Sequence, residues 1–468
     1  MVIDVSMASK RSSLLAWRQI KSALLVGMVL LGGFCYGFVS HRNEIFPFRQ
    51  ISNFYMTVLS TKNKAEPSHG RWGTVRHPLQ AGGKNDADQT TTLGALGYLA
   101  GYEPAPSQTG VIVHHTERAY PGYNYYASGH DTEAFLTDMQ GDVLHSWRKP
   151  FAEVWPDRDP AAGRADSWFR VFLYDNGDLL AIYDKLGLVK LDKYSNVVWS
   201  YDGLCHHNLQ VMDDGRIYVL SYEPVEDVSY RCGRAVYEDF IDILSPDGIR
   251  QHRVSVLRAF ADSPFHSVLE QMPVSPDPLH TNSLQVLDGR FEHLSPAFKA
   301  GNVLISERNL DIVAVVDMEK ETVAWVMTGM WRMQHEPRLL DNGRILLFDN
   351  QGHDGFSKII EFNPFKQAPV KSDPYKEFDP LQQEVVWMYP GDAANGFHSR
   401  VLGSNMRLPN GNTLITQSEN GRAFEVTPAN DIVWEFLNPH RAGDNNELIA
   451  VIYEMVRIGL DFPLDWRN

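Results

Sequence analysis

From about Thr109 the chain alternates short apolar runs with turn formers and shows no sustained helical period. One module recurs: a turn closed by glycine, then an apolar run. It reads NGDLLAIY at 176–183, DGRIYVL at 214–220, GNVLIS at 301–306, NGRILLF at 342–348 and NGNTLIT at 410–416. Asn-Gly and Asp-Gly between such runs are strong signals for tight hairpins. A second pair of strands follows each hairpin and ends in tryptophan, at Trp147, Trp199, Trp325, Trp387 and Trp434, while ILSPDGIRQHRV (243–254) fills the slot between Trp199 and Trp325. The spacing gives six units of about 45 to 75 residues. Four-stranded units repeated at this period predict an all-β, six-bladed β-propeller over residues 108–468, because one small sheet cannot bury both faces alone. The recurring tryptophans are expected to pack between blades, and ELIAVIYEMVRI to close the ring against the first blade.

The pattern ahead of the propeller is different. Residues 22–40, SALLVGMVLLGGFCYGFVS, hold no charged side chain over 19 positions. At roughly 1.5 Å per residue this approaches the ~30 Å hydrocarbon layer of a bilayer. Lys10, Arg11, Arg18 and Lys21 precede it, so residues 1–21 are expected in the cytoplasm and everything after the span outside. A cleaved signal peptide is the rival reading, although no A-x-A site follows. Residues 41–107 are polar and rich in turn formers and read as a juxtamembrane segment and linker. The expected location is the inner membrane, single-pass, with the propeller on the periplasmic or other extracytoplasmic side.

Composition sharpens this picture. The 468 residues carry a formal net charge of -15, which would repel phosphate backbones and excludes nucleic acid as a partner. Of three cysteines, Cys35 falls in the apolar span, leaving Cys205 and Cys232 outside. An oxidising compartment would pair these two in a disulfide.

The candidate chemistry lies just before the hairpins. The second unit offers CHHNLQVMDDG, the third LHTNSLQVLDG, the fourth QHEPRLLDNG and the fifth FHSRVLGSNMRLPNG. His206 or His207, His280, His335 and His398 thus recur at similar places. Counted back from the turn glycine, His207 and His335 share one distance and His280 stands one residue further, so strand alternation would send them to one face. The plainer alternative is that each histidine caps a strand. Arg308 in ISERNLD adds a fixed positive charge beyond His280. Trp331, Phe348 and Phe397 lie near these motifs, as walls of a site or as ordinary core.

The segments LHTNSLQV, VLISERN, QHEPRLLDNGRILLFDNQG and MRLPNGNTLITQSENGRAFEVTPANDIVWEF resemble the PAPS-independent arylsulfotransferases, over roughly residues 94–468. That resemblance implies a six-bladed propeller that moves a sulfuryl group from an aryl sulfate to a phenol, with no cofactor. It implies His335 as the nucleophile, His280 and Asn282 as the pair of the H-x-N-S motif, Arg308 as the arginine of the following strand, and His207 rather than His206 as the histidine one blade earlier. His206 and His398 are then expected against the substrate, His398 standing where the family has a tyrosine. The family's soluble members carry an extra N-terminal β domain, in place of which this chain has the apolar span and a linker.

Neutral imidazole suits attack at sulfur near neutral pH, and a guanidinium can fork two sulfuryl oxygens. Three alternatives remain on sequence alone. Histidines on one axis can hold zinc or copper, though only Glu336 supplies a nearby carboxylate. A calcium-dependent lactonase would want several axial Asp, Asn and Glu residues. A membrane-tethered binding propeller without catalysis is the third.

Overall fold

The computed structural model describes residues 71–74 and 106–467, apart from 160–164, 227–234, 274, 353–355, 367–369, 378, 380–381, 393–395 and 444–445. Residues 67–468 make one compact unit. Its body is a ring of six antiparallel sheets, each with at least four strands.

Blade 1 runs outward from Ile452–Ile458 through Tyr123–Ser128 and Glu133–Thr137 to Val143–Arg148. Blade 2 is Arg170–Leu173, Leu179–Tyr183, Gly187–Leu191 and Val197–Tyr201. Blade 3 is Cys205–Val211, Ile217–Glu226, Ala235–Leu244 and Arg250–Ser255. Blade 4 is Thr281–Val286, Val303–Glu307, Ile312–Asp317 and Thr322–Thr328. Blade 5 is His335–Leu339, Ile345–Asp349, Lys358–Phe362 and Val385–Pro390. Blade 6 is Ser404–Arg407, Thr413–Gln417, Arg422–Val426 and Ile432–Leu437. The five hairpin runs are the second strands of blades 2 to 6, and the tryptophan-ended runs are fourth strands.

The tryptophans do what the repeat predicts. The indole N–H of Trp147 donates to the Gly177 carbonyl of blade 2, and that of Trp199 to the Pro246 carbonyl of blade 3, each at 3.0 Å. Trp387 donates to Pro428 of blade 6, and Trp434 to Met139 of blade 1, also at 3.0 Å. Each ring fills the gap between neighbouring blades while its polar edge is satisfied on the neighbour's turn. Trp325 instead packs edge-on against Phe298, within the apolar cluster joining blades 4 and 5.

Both chain ends close the ring. The C-terminal strand Ile452–Ile458 pairs with Tyr123–Ser128 as the innermost strand of blade 1. Arg457 on it is buried and reaches Glu425 Oε2 of blade 6 at 3.0 Å. At the other end, Gly110–His114 adds a fifth strand outside Ile432–Leu437 of blade 6 and pairs with no strand of the first blade. The stretch read as linker contributes one short strand, Trp72–Thr74, paired with Leu448–Ala450. Among the described residues no helix is long and apolar enough to cross a membrane; the apolar run 22–40 lies outside the described residues.

One expectation is corrected. Cys205 is a free thiol, not bonded to Cys232, which lies outside the described residues. It sits fully buried on the innermost strand of blade 3, in an apolar cluster with Leu180, Leu188, Leu209 and Val219. In that setting it serves as a small apolar side chain.

Candidate active site

The innermost strands place the site. In blades 2 to 6 the first hairpin pairs Leu173 with Leu179, Val211 with Ile217, Val286 with Val303, Leu339 with Ile345 and Arg407 with Thr413. Four residues upstream of each first-named residue stand Phe169, His207, Asn282, His335 and Gly403. All five line one axial pocket, with Tyr453 from the closing strand of blade 1 and with Arg170, Glu336 and Leu402. Every blade contributes.

This register revises the counting from turn glycines. His207 and His335 do occupy equivalent positions, but Asn282 takes that position in blade 4 and His280 lies two residues earlier. The blade 4 connection runs from Leu287 to Asn302, so its hairpin glycine is Gly301 and not Gly289. Register shifts between His206 and Leu209, between Thr281 and Ser283 and between His335 and Arg338 mark bulges that re-aim these side chains. In blade 6 the equivalent residue is Gly403, where a Cβ would stand 2.6 Å from the Phe348 ring. His398 precedes it by five residues and does not line the pocket; its carbonyl accepts from Gln417 Nε2 at 3.0 Å. Backbone strain also gathers here, with His207, His280 and Glu336 at φ of 49°, 58° and 48°.

His335 has a defined tautomer. Its Nδ1 donates to Asn350 Oδ1 at 2.7 Å and to the Met333 carbonyl at 3.1 Å. The Asn350 amide cannot be turned, because its Nδ2 donates to the carbonyls of Ser399 and Leu402. With two acceptors on Nδ1, the proton is there and the lone pair is on Nε2. Burial, then the nearby Arg308 charge, pushes the His335 pKa down to about 3, with the Asn350 hydrogen bond pulling the other way. His335 is neutral at pH 7.

Of the other predicted residues, His207 and Asn282 line the pocket with His335, whereas His280, Arg308 and His206 do not. The His207 ring meets that of His280 edge-on at 4.8 Å and that of Phe169 at 4.9 Å. Burial and then the neighbouring His280, His206 and His335 hold the His207 pKa well below the usual value. His280 is backed by a carboxylate, its Nδ1 standing 2.6 Å from Asp277 Oδ2. Burial raises the Asp277 carboxyl, but the His280 hydrogen bond and charge bring it below its ordinary value. Arg308 follows the second strand of blade 4, with its amide on the His280 carbonyl and its Nη1 on Asn309 Oδ1. No carboxylate among the described residues forms an ion pair with it. Asn282 already donates through Nδ2 to the Gln334 carbonyl at 2.7 Å, leaving one N–H for another acceptor. His206 is fully buried behind His207, not in the pocket.

Sequence reasoning missed the charged floor. Arg170 bonds Glu336 of blade 5 and Glu454 of blade 1, and its Nε donates to the His207 carbonyl at 3.2 Å. Asn208 and Arg338 complete the Glu336 carboxylate at 2.8 and 2.6 Å. Glu336 stands next to His335 in the chain, but its partner Arg170 is 166 residues away. Trp331, Phe348 and Phe397 prove to be core, and Phe169, Tyr453 and Leu402 wall the pocket instead. Among the described residues, no group of three or more His, Cys, Asp and Glu side chains is arranged to hold a metal.

Residues 174–439 match the family model described as arylsulfotransferase (ASST). No curated protein matches the chain. Among solved structures, a protein of unknown function from Bacteroides caccae is 11% identical with a TM-score of 0.45, covering 71% of this chain and 98% of that one. The β-propeller domain of Cps50 (Swd1) from Myceliophteria thermophila is 10% identical with a TM-score of 0.41, covering 75% and 98%. Virginiamycin B lyase from Staphylococcus aureus is 10% identical with a TM-score of 0.33, covering 61% and 72%. These likenesses are too distant to bear on the argument.

Proposed function

The chain belongs to the arylsulfotransferase (ASST) family, and from that membership we propose that it moves a sulfuryl group from an aryl sulfate to a phenolic acceptor through a sulfohistidine on His335. The observation that carries the reading is the fixed tautomer of His335, which keeps a lone pair on Nε2 in a pocket fed by all six blades. Nε2 attacks sulfur, the donor phenolate leaves, and the acceptor phenol takes the sulfuryl group in a second displacement, giving ping-pong kinetics.

Arg308 supplies positive charge to the sulfuryl oxygens, and His280 and the second N–H of Asn282 supply hydrogen bonds. Removal of one such donor typically costs ~3 to 4 kcal/mol of transition-state stabilisation. His207 handles the proton of the leaving and entering phenols. Phe169, Tyr453 and Leu402 limit water near the intermediate, which favours transfer over hydrolysis.

The test is a chromogenic aryl sulfate with and without a phenol. Donor release that requires the acceptor and is lost in His335→Ala supports the reading, whereas no release from any donor favours a propeller that only binds. Tethering through residues 22–40 is part of the same proposal, supported by the uncharged run and the basic residues before it. Recovery of the full chain in the supernatant after membrane sedimentation would reject the tether.

A further inference from the structure

Behind the pocket, two side chains that the transfer reading leaves idle, His206 and Asp239, form a line with His207. Nδ1 of His206 and Nδ1 of His207 are 2.8 Å apart, so one donates to the other. The far nitrogen of His206, Nε2, stands 3.5 Å from Asp239 Oδ1. Asp239 and His206 are both fully buried, and neither Asp239 oxygen nor His206 Nε2 completes a hydrogen bond. His206 cannot swing away, because its ring stacks on Tyr222 at 3.6 Å, and the Tyr222 hydroxyl is held by Asp277. With its Nδ1 occupied by His206, His207 keeps Nε2 for the pocket.

We propose that Asp239, His206 and His207 are a proton relay that lets His207 act as acid and then as base without ever becoming an imidazolium; its purpose rests on the sulfuryl-transfer reading. In the resting relay the Asp239 carboxyl proton faces His206 Nε2, the His206 Nδ1 proton is donated to His207 Nδ1, and His207 carries its proton on Nε2. As the donor leaves, the Nε2 proton of His207 goes to the phenolate oxygen. The His206 Nδ1 proton then passes to His207 Nδ1, and the Asp239 proton passes to His206 Nε2. The product side holds one phenol and one Asp239 carboxylate, with both imidazoles neutral. The acceptor phenol gives its proton to His207 Nε2 and runs the relay backward.

The surroundings favour this arrangement over a charged imidazole. Burial above all pushes His206 down to about 3. Burial, then the charges of Asp277 and Glu307, raises the Asp239 carboxyl well above its ordinary range. Thr281, through its hydroxyl and amide, counters that shift, and the same hydroxyl also donates to Glu307. Asp239 and His206 touch no substrate and are positioning residues; His207 is the group that meets the phenol.

A good leaving phenolate needs little protonation and a poor one needs much, so the relay shows in how rate depends on the donor. Asp239→Asn preserves shape and neutrality, and His206→Asn keeps a donor near the Nδ1 position, but each breaks proton passage. Single-turnover sulfation of the protein is measured with nitrophenyl sulfate and with unsubstituted phenyl sulfate. Each variant is expected to slow both donors but to raise the nitrophenyl-to-phenyl rate ratio by roughly 10²-fold, and the double variant to raise it no further than one substitution does. Equal slowing of both donors, or additive effects, overturns the relay. Nitrogen-15 NMR of the histidine rings in the resting protein gives an answer without turnover: a proton on His207 Nε2 and on His206 Nδ1 is expected, and a proton on His207 Nδ1 overturns the relay. A parent protein that takes no sulfuryl group from either donor would instead sink the transfer reading, and the NMR result would still decide the relay.

Discussion

Asn350 Oδ1 lies 2.7 Å from His335 Nδ1, and the other end of the same amide is pinned by two carbonyls of the loop entering blade 6. The imidazole proposed as nucleophile is therefore oriented by a neutral acceptor, while His280 is oriented by the carboxylate of Asp277. The difference matters to that proposal, because a carboxylate on Nδ1 favours the imidazolium, which has no lone pair to offer. Asn350→Asp should bring a protonated, inactive His335 into the neutral pH range. Its sulfation rate should acquire a new rise with pH, and a rate as independent of pH as that of the parent would contradict this.

In the parent, the pH dependence has a definite sign. The His335 pKa lies near 3 in the fold against an ordinary 6.5, and His206 is shifted the same way. A base depressed by folding contributes stability that is present above the unfolded value and is lost as pH falls toward the folded one. Thermal stability should therefore decline from about pH 6.5 downward, whereas His335 sulfation should stay flat between about pH 7 and 5. A limb in single-turnover rates titrating near 6.5 would show that His335 is not the buried neutral base described above.

Arg308 is held by Asn309 and by no carboxylate ion pair among the described residues, which leaves its charge for an anion. Arg308→Gln should fold normally and lose roughly 10²- to 10³-fold in sulfation rate. Arg308→Lys should recover only part, because an ammonium cannot form the two-pronged contact. Full activity in Arg308→Gln, measured by quenched flow, would remove Arg308 from the site.

Arg170 is a matter of stability first. It joins Glu336 and Glu454 across the axis and also bonds the His207 backbone. Burial works against its charge, but the two carboxylates more than offset that. Arg170→Met removes the cation shared by buried Glu336 and half-buried Glu454, and breaking a buried pair in this way costs about 3 to 5 kcal/mol. Denaturant unfolding of the two proteins reads the difference directly; a change within the error of the measurement would show the network to be incidental.

Much of this architecture is written in local signals. The tryptophan-ended strands and the glycine turns mark the blades because both depend on contacts within a blade or with the next one. His335 and His207 are legible because each lies a fixed distance before a tight turn. His280 is misplaced by that count because the blade 4 hairpin carries a long connection that adjacent sequence does not reveal. Arg170, Glu454, Tyr453 and Asp239 escaped notice for another reason. Their partners lie in other blades or at the far end of the chain, and only closure of the ring brings them together. Gly110–His114 comes just before Tyr123–Ser128 in the chain, yet ring closure pairs it with the last blade.

The proposed transfer turns on His335 carrying the sulfuryl group. Brief exposure of the full-length protein to an aryl sulfate without acceptor, followed by peptide mass spectrometry at neutral to alkaline pH, tests it most directly. The expected result is a labile gain of ~80 Da on the peptide containing His335, removed by added phenol and absent in His335→Ala. Phenol release with that peptide unmodified, or an equal gain on a different residue in His335→Ala, would contradict it.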